Sequence, residues 1–141
     1  MNFSRRDLCL ILPALAASAG YAAEDAALPS KTYAFEDLPV RAEGENKFRP
    51  ILAGKTHTGV LVELHETDLA PGSAPHPPHH HEHEEIFLMR EGIVEFTIEG
   101  KSTRLGPGSV AYVVSNQVHG AHNPGPAHAQ YFVFALGTDK G

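Results

Sequence analysis

Short apolar runs separated by glycine and proline constrain the fold of this 141-residue chain more than any other feature. β-Branched and aromatic residues dominate the runs, and such residues favour strands. The breaks are made of residues typical of tight turns: Pro71-Gly72, Glu91-Gly92, Glu99-Gly100, Gly106-Pro107-Gly108 and Asn123-Pro124-Gly125. We therefore predict strands at 60–69, 86–90, 93–98, 110–114 and 130–136.

Strands of this length and spacing are typical of an all-β sandwich or barrel. No window after the first 22 residues shows a convincing helical period. An α+β domain with one helix within residues 33–48 is the alternative. Residues 23–50 contain Pro29, Pro39 and a polar stretch at 43–47, and they are predicted to form an N-terminal arm or edge segment. The barrel itself is predicted at 51–137.

Residues 1–22 are predicted to be an export signal. Arg5 and Arg6 precede an apolar run of 12 residues from Leu8 to Ala19, and small residues follow it. A membrane-spanning helix needs roughly 20 residues, so no stable membrane anchor is expected. The start resembles a twin-arginine signal, but Leu8 stands where phenylalanine is frequent and the usual later lysine is missing. The general secretory route therefore stays open, and the expected location is periplasmic or secreted from a bacterium.

Composition narrows the partners of the mature chain. Removing residues 1–22 leaves 141 − 22 = 119 residues, enough for one compact domain. The charge is then 9 basic against 16 acidic residues, a net charge of 9 − 16 = −7, without a basic cluster. Nucleic acid is therefore excluded as an expected partner. The only cysteine, Cys9, lies in the signal, so a metal site would have no thiolate ligand.

A histidine-rich tract at 76–85, HPPHHHEHEE, holds five of the ten histidines. Metals bound without thiolate use imidazole nitrogens and carboxylates. Residues two apart on a strand share a face, so either His79 with His81 or His81 with His83 forms a possible ligand pair. The alternative is a solvated tract that binds metals loosely.

Side-chain alternation favours Glu85 as the partner of His79 and His81. Glu85 opens a predicted strand, on which Phe87 and Met89 share its face and would line a pocket. The intervening turn, and the fringe of the site, would consist of Glu82, His83 and Glu84, with His76 and His80 also at the fringe. His76 and His83 lie nearer the expected centre and could be outer contacts of the ligands or entry residues. His119 offers a further ligand at the start of another expected strand. The remaining histidines are predicted to be surface or hydrogen-bonded residues: His57, His65, His122 and His128.

Two motifs in this region resemble those of the cupins. The first consists of His79-x-His81, three residues, Glu85, six residues and Gly92. Its leading glycine, Gly72, lies one residue farther from the first histidine than usual. The second consists of Gly100, Pro107-Gly108 and His119-x-x-x-Asn123, with no residue between the proline and the glycine. Together the motifs span residues 72–123.

The resemblance implies a double-stranded β-helix, or jelly-roll, cupin barrel with one divalent transition metal. The implied ligands are His79, His81, Glu85 and His119, and Mn, Fe, Ni, Cu and Zn all accept such a set. The resemblance also implies a homodimer that pairs through an edge sheet or an N-terminal arm within residues 31–50.

The expected function is that of a metal-dependent oxidoreductase, dioxygenase-like, acting on a small organic substrate. Three imidazoles and one carboxylate leave one or two positions open on an octahedral ion, and the free oxygen of Glu85 could act as a base. The apolar wall of the site is expected to consist of Phe87, Met89, Phe96, Tyr112, Phe132 and Phe134. Two alternatives remain: a non-catalytic periplasmic metal or ligand binder, and a metal-independent epimerase that uses a histidine with Tyr112 or Tyr131.

Overall fold

The computed structural model describes residues 26–137, which form nine strands and one turn of 3-10 helix, Phe35–Asp37. The strands are β1 (Arg41–Glu43), β2 (Asn46–Lys55), β3 (Leu61–Leu69), β4 (Glu84–Glu91), β5 (Val94–Ile98), β6 (Lys101–Leu105), β7 (Val110–Val113), β8 (His119–His122) and β9 (Ala129–Leu136). Within 33–48 this 3-10 turn is the only helical segment, so the α+β alternative does not hold for the described residues. The predicted export signal lies outside the described residues. No helix within 26–137 has the length and apolar character needed to cross a membrane.

The strands form two antiparallel sheets that face each other as a jelly roll, which confirms the predicted fold class. The larger sheet has the order β1-β2-β3-β9-β4-β7, and the smaller one has the order β6-β5-β8. The sheets do not close into a continuous barrel within the described residues. His79 extends the smaller sheet, because its backbone exchanges hydrogen bonds of 3.0 and 2.9 Å with that of His119.

The core lies between the two sheets and follows the period-two alternation of strands. On β9, Tyr131 and Val133 point inward, and on β4, Phe87 does the same. The ring centroids of Phe87 and Phe96 lie 4.9 Å apart, and those of Phe96 and Tyr131 lie 5.7 Å apart. These tilted aromatic contacts join the sheets directly.

All five predicted strands exist, with ends within two residues of the prediction. Three further strands were not predicted. β2 contains Pro50 and Gly54, which weaken the sequence signal, and its register shifts between Pro50 and Leu52, where a bulge tolerates the proline. β1 and β6 are short, mainly exposed edge strands without an apolar alternation. The boundary predicted between residues 50 and 51 falls within β2.

The N-terminal segment covers part of the exposed edge of the larger sheet. The backbone N–H of Leu28 donates to the carbonyl of Lys55 at 2.8 Å, and Ala27 forms a parallel bridge with Lys55. The Leu28 side chain occupies the space where Gly54 lacks a Cβ. An edge strand with free hydrogen-bonding groups invites aggregation, so this contact protects β2 where β1 does not reach.

Two motif residues act on the backbone. Gly92 has φ 72° in the turn between β4 and β5, and a Cβ there would collide with the carbonyl oxygen of His128. Asn123 is 1% exposed, and its amide donates to the carbonyls of Leu69 and Ala127 at 2.9 and 2.8 Å. Both residues therefore hold the loops at one end of the jelly roll.

Candidate metal centre

The structure brings His79, His81, Glu85 and His119 together between the two sheets. His79 and His119 are fixed by their reciprocal backbone hydrogen bonds. The carbonyl of His81 accepts a 2.7 Å hydrogen bond from the backbone N–H of Asn116, in the loop after β7. Glu85 is the second residue of β4 and pairs with Ala135 and Val113 on either side. Backbone hydrogen bonds, in the sheets for three of the residues and to a loop for His81, thus fix the backbone beneath each of the four side chains.

Potential ligand atoms converge closely in this cluster. Glu85 Oε2 lies 3.1 Å from His119 Nε2 and 3.4 Å from His81 Nε2. The ring centroid of His79 lies 5.0 Å from that of His81 and 4.8 Å from that of His119. One ligand nitrogen from each of the three histidines lies within 4.8 Å of the other two. The group can hold a metal ion, and the role of each residue as a ligand stays a prediction.

Backbone carbonyls select the imidazole nitrogens that face the centre. His81 Nδ1–H donates to the carbonyl of His83, and His119 Nδ1–H donates to that of Gln117, each at 2.9 Å. Their Nε2 atoms are then directed at Glu85, an arrangement typical of metal-binding histidines. His79 Nδ1 and His81 Nε2 are buried without a hydrogen-bond partner in the described part of the chain. Unsatisfied buried nitrogens of this kind fit a cation.

The cluster keeps Glu85 ionised. Burial alone would raise the pKa of Glu85, but hydrogen bonds from His119 and His83 and the nearby charges of His81 and His119 lower it to about 2. The hydrogen bond to Glu85 raises the pKa of His119, although burial opposes it. Burial and the neighbouring histidines lower the pKa of His79. In the metal-free chain, the proton of the His119 Nε2–Glu85 Oε2 hydrogen bond therefore lies where a cation would bind.

His83 was expected at the fringe, as an outer contact or an entry residue, and the structure places it against two members of the cluster. Its ring stacks on that of His81, with centroids 3.5 Å apart and planes 11° apart. Its Nε2 lies 3.2 Å from Glu85 Oε1. The predicted turn was too long, because β4 already begins at Glu84. The spacing His81-x-His83-x-Glu85 in the sequence was the available signal for this arrangement.

Some of the other histidines lie beside the cluster or its cavity, and the rest lie away from it. His76 packs its ring edge-on against that of His79, with centroids 4.2 Å apart, and stays at the fringe as expected. His80 and His122 are exposed, and His128 pairs with Asp68 at 2.7 Å. His65 was predicted to be an ordinary surface or hydrogen-bonded residue, but it lines the cavity beside the centre. Burial lowers the pKa of His65, although Glu63 opposes this.

A cavity of about 260 Å³ adjoins the cluster, with Glu85 and His119 in its wall. Its apolar lining includes Phe87 and Val133. Phe87 therefore lies where the sequence predicted it, while Met89 and Phe96 belong to the adjoining core. The expectation for the remaining wall residues is wrong, since Tyr112, Phe132 and Phe134 alternate with inward-facing residues and lie on the outer face of the larger sheet.

Polar groups also face the cavity. Tyr131 is 2% exposed and lies opposite Thr67, its partner in the β3–β9 register. Burial raises the pKa of Tyr131 despite a hydrogen bond with Thr67, so its phenol stays protonated. Of the two tyrosines considered for acid chemistry, Tyr131 lines the cavity, and Tyr112 is 51% exposed on the outside.

Solved structures of several differently named proteins have folds similar to this one. An RmlC-like cupin from Shewanella frigidimarina matches with a TM-score of 0.64 and 18% identity, over 79% of this chain and 95% of that one. The polyketide cyclase RemF from Streptomyces resistomycificus gives 0.68 and 19%, over 80% and 83%. A predicted oxalate decarboxylase from Thermotoga maritima gives 0.65 and 18%, over 77% and 100%. At these identities the likeness concerns the fold.

The family comparison is more direct. No curated protein matches the chain. The cupin domain model matches residues 65–135, half of the chain, and this range includes all four residues of the histidine–glutamate cluster. The chain therefore belongs to the cupin domain family.

Proposed function

We propose that the chain is a metal-dependent enzyme that acts on a small organic molecule, as an oxygen-using, dioxygenase-like oxidoreductase. One observation carries the proposal: Glu85 and His119, which approach each other to 3.1 Å, each belong to a group of potential metal ligands, and both lie in the wall of the adjoining cavity. A molecule in the cavity would therefore lie beside the ion.

The residues around the cavity fit this role. A bound divalent transition metal would supply a Lewis-acid or redox centre with positions open to water, dioxygen or substrate. Glu85 stays ionised and would offset part of the charge of the ion. The Tyr131 phenol keeps its proton and can donate a hydrogen bond to a substrate oxygen. Phe87 and Val133 give one side of the cavity an apolar wall.

The cavity favours a small substrate. Its volume of about 260 Å³ is at the lower limit of ordinary ligand pockets, roughly 300–1,000 Å³. Its charged lining outside the cluster includes one cation, Lys47, and one nearby anion, Glu43. This balance favours a neutral or singly charged molecule over a phosphorylated one.

A non-catalytic metal or ligand binder is the second candidate. The surplus of histidines favours it, because His76 and His83 also contact the cluster. A store for metal ions would benefit from many nitrogens, whereas an enzyme needs one defined site.

Metal content and oxygen uptake distinguish the two candidates. Protein from its native host is analysed for metal per chain, and oxygen uptake is measured with a panel of phenols and small organic acids. The matched variants are His119→Ala and His80→Ala, since His80 belongs to the same tract but is exposed. One tight metal that is lost only in His119→Ala, together with substrate-dependent oxygen uptake, supports the enzyme. Several weak metals that are lost gradually in both variants would leave the binder.

We also propose export and homodimer formation. The twin arginines and apolar run of residues 1–22 support export. Fractionation of cells that express the chain with Arg5→Lys and Arg6→Lys tests the twin-arginine route.

Support for a dimer comes from the apolar outer face of the larger sheet, where Leu88 and Tyr112 are 36% and 51% exposed. Light scattering of the mature chain, compared with Tyr112→Glu, tests this surface.

A further inference from the structure

We infer that His83 is a positioning residue that orients two of the four proposed ligands, His81 and Glu85. It makes Glu85 present a single oxygen, Oε2, to the centre. The inference rests on the proposed metal site and assigns a task to a histidine at one of the three unspecified positions between His81 and Glu85 in the motif.

The imidazole of His83 holds one half of the Glu85 carboxylate. Its Nε2 lies 3.2 Å from Oε1, whereas Oε2 points at His119 Nε2 and His81 Nε2, at 3.1 and 3.4 Å. The two oxygens of Glu85 therefore have different neighbours. A hydrogen bond from a histidine restrains the rotation of a carboxylate about its last torsion, and only Oε2 then faces the other potential ligands.

The same residue also orients His81. Its backbone carbonyl accepts the Nδ1–H of His81 at 2.9 Å, which leaves His81 Nε2 as the nitrogen directed at Glu85. Its ring covers the His81 ring at 3.5 Å, which blocks one side of that imidazole. One residue thus fixes the tautomer of one ligand and the rotation of another.

This arrangement has a consequence for coordination. If Glu85 bound an ion through both oxygens, it would occupy an additional position and break the hydrogen bond from His83. With Oε1 held by His83, the carboxylate would offer a bound ion only Oε2, which would leave a further position for a substrate or dioxygen. His83 would therefore keep the centre open as an outer contact. Its ligand nitrogen also lies within 4.8 Å of those of His81 and Glu85, so the binding experiment below distinguishes an outer contact from a ligand.

Substitutions at residue 83 separate the hydrogen bond from the stack. His83→Gln retains an N–H donor, His83→Phe retains the stack without a donor, and His83→Leu removes both. The backbone carbonyl that faces His81 remains in all three. His80→Gln, at an exposed position of the same tract, is the matched control.

The probe is Co²⁺ alone, bound to the full mature chain and followed by calorimetry and by its visible absorption spectrum. We expect His83→Leu and His83→Phe to weaken Co²⁺ binding about 10- to 100-fold, as loss of an outer hydrogen bond typically does, and to alter the spectrum. The Co²⁺ affinity of His83→Gln and of His80→Gln should stay within about threefold of the wild-type affinity. Both variants should also show the wild-type Co²⁺ spectrum. Thermal unfolding of each metal-free variant checks the fold, and His83→Phe replaces His83→Leu if the latter does not fold.

Three outcomes would overturn the inference. Wild-type binding and spectrum in His83→Phe would show that the hydrogen bond does not position Glu85. A loss in His83→Gln equal to that in His83→Leu would give the same conclusion. A loss of Co²⁺ affinity in His83→Leu as large as the loss in His119→Ala would show that His83 is itself a ligand. Failure of the wild-type chain to bind one Co²⁺ is a separate result, which refutes the proposed metal site itself.

Discussion

Glu85 and Glu66 are buried carboxylates on opposite faces of the same six-stranded sheet, and their surroundings differ in kind. Glu85 lies among imidazoles beside a cavity and is 12% exposed at its side chain. Glu66 is fully buried on the outer face, where its Oε2 lies 2.6 Å from Arg49 Nη1. Its other oxygen has no hydrogen-bond partner in the described residues.

The partners decide what each carboxylate can do. Burial raises the pKa of Glu66, although the hydrogen bond and charge of Arg49 oppose this, whereas the histidines lower the pKa of Glu85 to about 2. A guanidinium never gives up its proton in a protein, so the Arg49–Glu66 pair has a structural role and offers no exchangeable proton on the arginine side. Imidazoles lose theirs near neutral pH. The cluster at Glu85 can therefore exchange a proton for a metal ion.

Removal of Arg49 should break the structural side of this comparison with the largest effect. Arg49→Met leaves Glu66 as a buried charge without its partner, which typically costs about 3–5 kcal/mol in the free energy of unfolding. Urea denaturation at pH 7.5 measures the loss. Arg104→Met is the control, because the Arg104–Glu95 pair is 67% and 32% exposed and such pairs contribute at most about 1 kcal/mol. Equal effects in both variants would contradict the structural role of Glu66.

The same variant has a predictable pH dependence. Because the pKa of Glu66 is raised in the folded chain, the folded state binds this proton more readily than the unfolded state does. The stability contributed by protonation is present at low pH and is lost as the pH rises through the folded pKa. The penalty of Arg49→Met should therefore be smaller at pH 5 than at pH 7.5.

The functional side is tested on strand β8, which carries His119 inward and His122 outward. His119→Ala should weaken binding of one divalent metal by at least about 100-fold, since loss of a ligand exceeds the roughly 10- to 100-fold effect of an outer contact. His122→Ala should leave the affinity unchanged. Metal titration of both purified variants measures the two affinities. Equal losses would indicate loose binding by many histidines of the chain and not by one defined site.

Metal binding at the Glu85 cluster should also depend on pH, and the affinity, like the Arg49→Met penalty, should decrease as the pH falls. The ligand imidazoles must be neutral to bind, and their reference pKa is about 6.5. The pKa of His119 is raised in the metal-free chain, so protons compete there first as the pH falls. Affinity should therefore begin to fall while the pH is still above this reference value, and it should fall roughly tenfold per pH unit at lower pH. Undiminished metal retention at pH 4.5, by dialysis and metal analysis, would contradict imidazole ligation.

The sequence predicted the jelly roll and the members of the cluster better than it predicted the lining of the cavity. Turn residues and short β-rich runs fix the strands locally, and the motif spacing named the four cluster residues. β9, however, is apolar on both faces, so that alternation alone did not tell whether Tyr131 or Phe132 points inward. Its pairing with β3 and β4 decides this.

Long-range register explains the remaining differences. Arg49 meets Glu66 only because β2 pairs with β3 in a register that includes a bulge at Pro50. No local pattern at residue 49 or 66 indicates that contact. His83 is the reverse case. Its alternation with His81 and Glu85 was visible in the sequence, but the turn predicted at 82–84 left its contacts with those two residues unspecified.

The smallest effect should come from the ring that covers the structural pair. Phe35 lies 5.0 Å from the guanidinium carbon of Arg49 and 3.7 Å from that of Arg90, measured to its ring centroid. Phe35→Leu keeps an apolar side chain but removes the cation–π contacts, which are worth roughly 0.5–1 kcal/mol each at such sites. We expect about 1 kcal/mol less stability by urea denaturation.

Tyr33→Leu is the control for Phe35→Leu, because the contact of Tyr33 with Lys31 is exposed and joins no buried charge. Co²⁺ affinity should be the same in both variants, since Phe35 lies on the far side of the sheet from Glu85. A change in metal affinity in Phe35→Leu would mean that the two carboxylates are coupled through the sheet. Unchanged affinity with reduced stability would show that the structural pair and the metal centre are independent.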